Sequence, residues 1–79
     1  MKIKIQVLPK KGILDPQGKA VHHALENLGY SGLSEVRIGK LIQIEVKESN
    51  PPVTPAIIKE MCEKLLANTV VEDYTFKII

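Results

Sequence analysis

Four features of this sequence stand out as candidates for chemistry: two adjacent histidines, one cysteine, an adjacent lysine pair and a single arginine. His22 and His23 would point about 100° apart on a helix, whereas metal-binding histidine pairs are spaced i, i+4 on one face. Cys62 lies on an apolar stripe, and because a reactive thiol needs cationic neighbours we interpret it as a core or interface residue. The sequence predicts no metal site and no catalytic residue.

The lysine pair, Lys10 and Lys11, is followed by Gly12 and by the start of a predicted helix, an arrangement that can cradle a phosphate. Asp15 argues against an anion site, because a capping carboxylate occupies the backbone N–H groups that a phosphate would use. Pro16 removes one further donor from the first turn. We interpret the stretch as a turn followed by a helix cap, with no cofactor-binding residue.

Arg37 is the only arginine of the chain. Arginine is favoured in interface ion pairs and in bidentate contacts to carboxylate or phosphate, but a solvated strand residue is an equally good interpretation. A basic sheet face can also bind RNA when exposed aromatic side chains stack on bases. Here Tyr74 and Phe76 share the core-facing parity of Ile78, so a protein interface is favoured over nucleic acid.

These residues must be positioned by strands and helices, and we expect the fold to be organised around residues 35–46. β-branched side chains occupy its even positions, as in a strand with one buried face; they are Val36, Ile38, Ile42, Ile44 and Val46. An odd-length loop at residues 39–41 keeps all five on one side, as does one long strand bent at Gly39. We favour the hairpin, because glycine supplies the positive φ that such a loop needs.

Two segments start with a capping side chain followed by proline, the signature of a helix N-terminus. Asp15-Pro16 begins a helix predicted over residues 16–28. The apolar stripe of this helix contains Val21, Ala24, Leu25 and Leu28. Thr54-Pro55 begins a second helix. The apolar stripe of that helix contains Ile58, Met61, Cys62 and Leu65, with Ile57 and Leu66 widening it. Asn68 is a plausible left-handed stop.

Alternating segments at both ends of the chain, residues 2–8 and 71–79, are predicted strands, and residues 49–52, SNPP, form an exposed loop. The resulting order, βαββαβ, predicts an α/β plait (α+β) in which two helices cover one face of an antiparallel sheet. We expect one domain, residues 1–79.

The bulk composition excludes several classes of protein. A chain of 79 residues buries only about 60% of its unfolded surface, and with one cysteine it has no internal disulfide, so self-association is expected. The net charge of +2 is too small to imply nucleic acid or an anionic membrane. No run of 18 apolar residues and no signal peptide is present, which makes a cytoplasmic protein the default.

Three segments resemble the motifs of one family. Residues 13–21, ILDPQGKAV, are similar to its L-D-P-Q-G-x-A-V motif; residues 35–40, EVRIGK, to V-R-x-G-K; and residues 62–68, CEKLLAN, with 71–74, VEDY, to C-x-K-L-L-A-N and x-E-x-Y. On these motifs the chain resembles the PurS family, the small subunit of phosphoribosylformylglycinamidine synthase. It departs from the family in the proline-rich residues 48–53, and Thr69 stands where proline is common.

The resemblance implies a non-catalytic subunit in the step of purine biosynthesis that uses glutamine and ATP. The implied partners are a second copy, as a homodimer or a dimer of dimers, and the synthetase (PurL) and glutaminase (PurQ) subunits, which this subunit bridges and between which it assists ammonia transfer. ATP and Mg²⁺ would be used by the complex, not by this chain. Within the motifs we expect Arg37, Gly39 and Lys40 at an interface. Those expected to be structural are Asp15, Pro16, Gln17, Gly18 and Asn68.

Two other classes remain as alternatives. A ligand-binding regulatory plait would need a pocket of convergent polar groups at a subunit interface. A small phosphatase would need an arginine aimed into an anion cradle, but Arg37 and Lys10-Lys11 lie on different elements.

Overall fold

The computed structural model describes residues 1–47 and 52–79, so most of the loop predicted at residues 49–52 lies outside the described residues. The elements, in chain order, are β1 (Lys2–Pro9), α1 (Pro16–Asn27), β2 (Lys40–Glu45), α2 (Pro55–Met61), which continues into a π-helical turn (Cys62–Leu66), and β3 (Glu72–Ile78). An antiparallel sheet with two helices confirms the predicted α+β class.

The sheet has the order β2-β1-β3, with both pairs antiparallel. Ile5 lies opposite Ile42 on one side and Phe76 on the other, and Ile3 pairs with Ile44. Apart from Leu8 and Leu41, the apolar side chains of the three strands therefore share one face, as their alternation predicts. The core forms where α2 packs on that face. Its members are Ile3, Ile5, Val7, Ile58, Cys62 and Ala67.

The hairpin predicted at residues 39–41 is wrong, because β2 begins only at Lys40 and no strand precedes it in residues 28–39. Within the described residues the sheet therefore has three strands rather than four. The N–H of Ile38 donates instead to the Asp15 carboxylate at 2.9 Å. Residues 36–38 therefore do not form the first strand of the predicted hairpin, because the Asp15 side chain at the start of α1 binds the N–H of Ile38.

Gly39 does not have the positive φ expected of it; the glycines that do are Gly12, Gly29 and Gly32. Its backbone approaches β1 so closely that a Cβ atom would collide with the carbonyl oxygen of Val7. Gly39 is required for this close approach, not for a turn.

Helix α1 has the predicted start and ends one residue before the predicted position. Its placement differs from the plait, because none of its residues belongs to the core or to the half-buried side chains around it. Val21 is 38% and Leu28 74% exposed. Of the two described helices, α2 alone contributes side chains to the core, and the molecule is correspondingly elongated, 52 × 24 × 15 Å.

The apolar stripe predicted for the second helix is wrong at Leu65, which is 82% exposed. The cause is the π turn at Cys62–Leu66, in which each turn takes one extra residue. After Cys62 the inward positions therefore move from Leu65 to Leu66 and Ala67, which are half-buried and buried.

Asn68 is not a left-handed stop, since no described residue other than glycine has a positive φ. It instead organises the turn into β3. Its side-chain oxygen accepts from the N–H of Val70 at 3.3 Å, its carbonyl accepts from the N–H of Glu72 at 2.7 Å, and its N–H donates to the Glu72 carboxylate at 2.8 Å. Its predicted structural position therefore rests on a different geometry.

Candidate functional site

The residues of the first two motifs meet at one junction, where the start of α1 lies against the segment that leads into β2. The Asp15 carboxylate joins the two: one oxygen accepts from the N–H of Gly18 at 3.0 Å and the other from the N–H of Ile38 at 2.9 Å. These hydrogen bonds hold the pKa of Asp15 below its ordinary value, and the bond from Ile38 has the larger effect. The predicted cap is confirmed, and its second bond is an addition that helix pattern alone does not predict.

Gly18 is the only buried residue of α1. A Cβ atom at this position would collide with the carbonyl oxygen of Val36 and with the Asp15 carboxylate. The glycine therefore lets the helix approach residues 36–38 closely enough for Asp15 to reach Ile38. A glycine inside a predicted helix, where it costs about 1 kcal/mol relative to alanine, was the sequence signal for this contact.

Arg37 lies beside this junction and is anchored within the chain. Its guanidinium donates to the carbonyl of Pro9 at 3.1 Å, and its Nε lies 3.5 Å from the Glu35 carboxylate. Glu35, two residues away, therefore gives Arg37 a partner within its own segment. Its side chain is still 32% exposed, so it keeps a face for a further contact.

Arg37 also lines a shallow cleft of about 270 Å³ on the sheet face that α2 leaves open, together with Gln6, Leu8, Asp73, Tyr74 and Thr75. Leu41, 59% exposed, lies beside Leu8 in the adjoining groove, which Gly39 and Lys40 complete. The three residues expected at an interface, Arg37, Gly39 and Lys40, thus border one surface. That surface combines an arginine, exposed leucines and amide or hydroxyl groups.

A second cleft, of about 200 Å³, opens at the junction itself. Its charged and titratable lining consists of Lys10, Asp15, Lys19, His22, Glu35 and Arg37. Both carboxylates and the arginine in this lining are held by partners within the chain. The cleft thus brings three cationic side chains, Lys10, Lys19 and Arg37, together with two carboxylates.

The nucleophile and metal candidates lie apart from both clefts or are bound within the chain. His22 Nε2 is 2.8 Å from the carbonyl oxygen of Leu33 and 3.8 Å from the Glu26 carboxylate, whereas His23 is exposed. Cys62 is fully buried, as predicted for a core residue, and burial raises the pKa of its thiol, which Glu63 raises further. Within residues 1–47 and 52–79 no three His, Cys, Asp or Glu side chains are grouped closely enough to hold a metal ion. The same part of the chain contains no helix long and apolar enough to span a membrane.

Comparison with known proteins gives a consistent result. Residues 2–79 match the family model described as PurS, phosphoribosylformylglycinamidine (FGAM) synthase. Subunit PurS of phosphoribosylformylglycinamidine synthase from Bacillus subtilis (strain 168) is 47% identical over 77 residues, covering 98% of this chain and 90% of the relative. The structure of B. subtilis PurS superposes with a TM-score of 0.80, covering 96% of this chain and 94% of that one.

A chain in the structure of PurLQS from Thermotoga maritima is also similar. It superposes with a TM-score of 0.72 at 28% identity, and the alignment covers 99% of this chain and 95% of that one. The chain therefore matches almost the full length of each of these proteins.

Proposed function

The chain belongs to the PurS family of phosphoribosylformylglycinamidine synthase, and from that membership we propose that it bridges the synthetase and glutaminase subunits and assists the transfer of ammonia between them. As a subunit of this synthase it takes part in purine biosynthesis, in a glutamine-dependent ligase whose chemistry belongs to the other subunits. The observation that carries the proposal is the full-length likeness to a chain of the PurLQS assembly.

The geometry of the chain supports a docking role. Arg37, Gly39 and Lys40 border an exposed surface with Leu41, and arginine with exposed apolar side chains is typical of interface cores. The described side chains that could serve as a nucleophile or as a general base are buried, bound to backbone or separate from one another. ATP and Mg²⁺ are accordingly assigned to the complex, which we place in the cytoplasm.

The proposal also includes self-association, as a homodimer or a dimer of dimers. The described core contains six residues, none of them larger than isoleucine, and β2 and β3 are both sheet edges. A small core and two free edges favour pairing with another copy.

The test is reconstitution of the complex with and without this chain. Without it, glutamine-dependent formation of the amidine product should fall by roughly two orders of magnitude, because the ammonia is no longer delivered at high effective concentration. The rate with added ammonium chloride should remain close to that of the complete complex. The chain alone should turn over neither glutamine nor ATP.

Two results would contradict this proposal. One is an equal loss of the glutamine- and ammonia-dependent rates, which would give the chain a role in the synthetase reaction itself. The other is full glutamine-dependent activity in its absence.

A further inference from the structure

The side of the sheet that faces away from α2 has lysines at one end and leucines at the other. Lys2 and Lys4 of β1 and Lys77 of β3 lie at the first end, and Leu8 of β1 and Leu41 of β2 lie at the second. These positions alternate with the core-facing residues of their strands. This surface, called the open face below, therefore offers a partner a cationic contact and a separate apolar one.

Lys4 and Lys77 form a like-charge pair on the open face. They lie directly opposite each other in the antiparallel pairing of β1 and β3. Residues in this relation have Cβ atoms about 4.5–5.5 Å apart, and like charges there destabilise a sheet. Among the ion pairs within residues 1–47 and 52–79, none includes either lysine. The two charges therefore repel each other without compensation from the described part of the chain.

The two carboxylates of the open face do not neutralise this pair. Glu45 lies opposite Lys2 and is 3.7 Å from its ammonium group. Asp73 lies opposite Leu8, four residues from Lys77 along β3, which corresponds to about 14 Å in a strand. The carboxylates of the face are thus engaged by another lysine or placed at the leucine end.

The position of Lys4 differs from the usual place of lysine in a sheet. A lysine on an edge strand discourages pairing with other chains, and this reason accounts for Lys77 on β3. Lys4 lies on the central strand, which already pairs on both sides, and it is half-buried. Protection of an edge therefore does not explain its charge, whereas contact with a negatively charged partner does.

The open face suits a protein partner better than nucleic acid. None of its strand positions holds an aromatic side chain that could stack on a base. Leu8 and Leu41 are instead exposed, and Leu8 is four residues from Lys4 along β1, or about 14 Å. A partner that fits both ends presents an apolar side chain and a carboxylate about 14 Å apart, the length of about nine helical residues.

We propose that the open face binds an acidic surface of one of the larger synthase subunits. Carboxylates of that subunit contact Lys4 and Lys77, and an apolar side chain packs against Leu8 and Leu41. The repulsive lysine pair is then replaced by ion pairs that exist only in the complex, so the charges select the partner and fix its orientation. This assignment rests on the docking role proposed above and adds the chemistry of the partner surface.

Zero-length cross-linking of the assembled complex tests which groups are in contact. A water-soluble carbodiimide activates a carboxyl group, and the Nζ of a contacting lysine displaces it to form an amide, while the carbodiimide takes up the water and leaves as a urea. Peptide mass spectrometry should show Lys4 or Lys77 joined to an aspartate or glutamate of the synthetase or glutaminase subunit. Both lysines unreacted, or joined only to carboxylates of this chain, would overturn the assignment.

Two matched double variants test the contribution of the charges. Lys4→Gln with Lys77→Gln should weaken binding to the contacted subunit by at least about tenfold in titration calorimetry. The difference from the parent should disappear at about 1 M salt, where charges are screened within about 3 Å. Lys59→Gln with Lys64→Gln removes the same charge from exposed positions on the α2 side and should leave binding unchanged.

Thermal unfolding of the first double variant gives a readout independent of the partner. Because the substitution removes a repulsion between Lys4 and Lys77, the Tm of the isolated chain should be equal to or above that of the parent. A lower Tm accompanied by weaker binding would show that the two lysines act on the fold of the chain, and would overturn the assignment.

The outcomes separate this assignment from the proposed function. Unchanged binding of the Lys4→Gln, Lys77→Gln chain, or an equal loss in the control, would overturn the acidic partner surface and leave the docking role in place. A parent chain that binds neither larger subunit would overturn both. A single-stranded oligonucleotide that binds the parent but not this variant would reassign the open face to nucleic acid.

Discussion

Asp15 shows how one side chain can couple two parts of the chain that are distant in sequence. Its two carboxylate oxygens hold different backbone donors, Gly18 in the first turn of α1 and Ile38 in the segment before β2. A carboxylate suits this position because each of its oxygens accepts independently and the helix N-terminus favours its negative charge. Loss of either oxygen should therefore affect the junction as well as the helix.

The first prediction distinguishes a simple cap from this double acceptor. Asp15→Ala should lower the Tm by about 4–8 °C, the usual range for loss of a cap. Asp15→Asn, which would be nearly neutral at a simple cap, should lose about half of that stability because the amide NH₂ cannot accept from the second N–H. Thermal unfolding of both variants checks this, and an Asp15→Asn protein as stable as the parent would show that the bond to Ile38 contributes nothing.

The two hydrogen bonds that the Asp15 carboxylate accepts also predict that stability depends on pH. Asp15 has a folded-state pKa below its ordinary value of about 3.9. Its contribution to stability is therefore fully present above the unfolded-state pKa and is lost as pH falls through the folded-state pKa. The stability difference between the parent and Asp15→Ala should be constant near neutrality and should shrink below about pH 4. A difference that persists unchanged to pH 2 would rule out this account.

Arg37 carries the prediction for the interface. Its bond to the Pro9 carbonyl should make Arg37→Ala less stable by about 0.5–1.5 kcal/mol in urea unfolding. If its exposed face also contacts another subunit, the variant should in addition weaken assembly of the complex by about tenfold or more. Sedimentation without urea, at a temperature well below the Tm of the variant, measures this. Lys59→Ala, on the exposed side of α2, is the control for removal of a positive charge. Reduced stability with unchanged assembly would assign Arg37 a purely structural role.

At the scale of elements, patterns in the sequence predicted what each segment is, but not always what it packs against. The alternation of Ile3, Ile5 and Val7 predicted their burial correctly, because period two in a strand leaves no other way to hide all three. The same alternation at Val36 and Ile38 predicted a strand that does not form, because Asp15 binds the Ile38 N–H. The alternation of apolar residues indicates which face of a strand each side chain lies on, but not whether the backbone pairs with another strand.

The junction yields a prediction whose sign is opposite to helix propensity. Alanine in place of a glycine within a helix normally stabilises it by about 0.5–1 kcal/mol. Gly18→Ala should instead destabilise the protein by about 1–3 kcal/mol, because the new methyl collides with the Val36 carbonyl and displaces Asp15. Lys19→Ala, at the next and exposed helix position, is the matched control and should be neutral within about 0.5 kcal/mol. Chemical denaturation of both checks this, and a stabilised Gly18→Ala would show that the close approach is absent.

The π turn gives the second element-scale prediction. Leu66→Ala should cost about 1–3 kcal/mol, because Leu66 packs against the core. Leu65→Ala should cost no more than about 0.5 kcal/mol, because the extra residue of the π turn turns Leu65 outward. A regular 3.6-residue repeat predicts the reverse order, so the two variants measured by urea unfolding decide between them.

For the whole molecule, the relation between helix α1 and the sheet is the feature that sequence could not supply. The stripe of Val21, Leu25 and Leu28 indicates that a surface covers it, but an apolar stripe carries no information about whether that surface belongs to its own chain. The elongated shape and the six-residue core instead follow from the position of α1 away from the sheet. A chain of this size folds with a small margin, so cover supplied by a second copy would contribute a large part of its stability.

That dependence makes the midpoint of thermal unfolding a function of protein concentration. Unfolding of a dimer releases two chains, so each tenfold increase in concentration adds about 1.4 kcal/mol to the free energy of unfolding. The unfolding entropy is about 2.1 cal/mol/K per residue for two chains of 79 residues. The Tm should therefore rise by about 4 °C for each tenfold increase in concentration. Calorimetry between about 2 and 200 µM measures this. A Tm independent of concentration over this range would mean that folding of the chain is complete without its second copy.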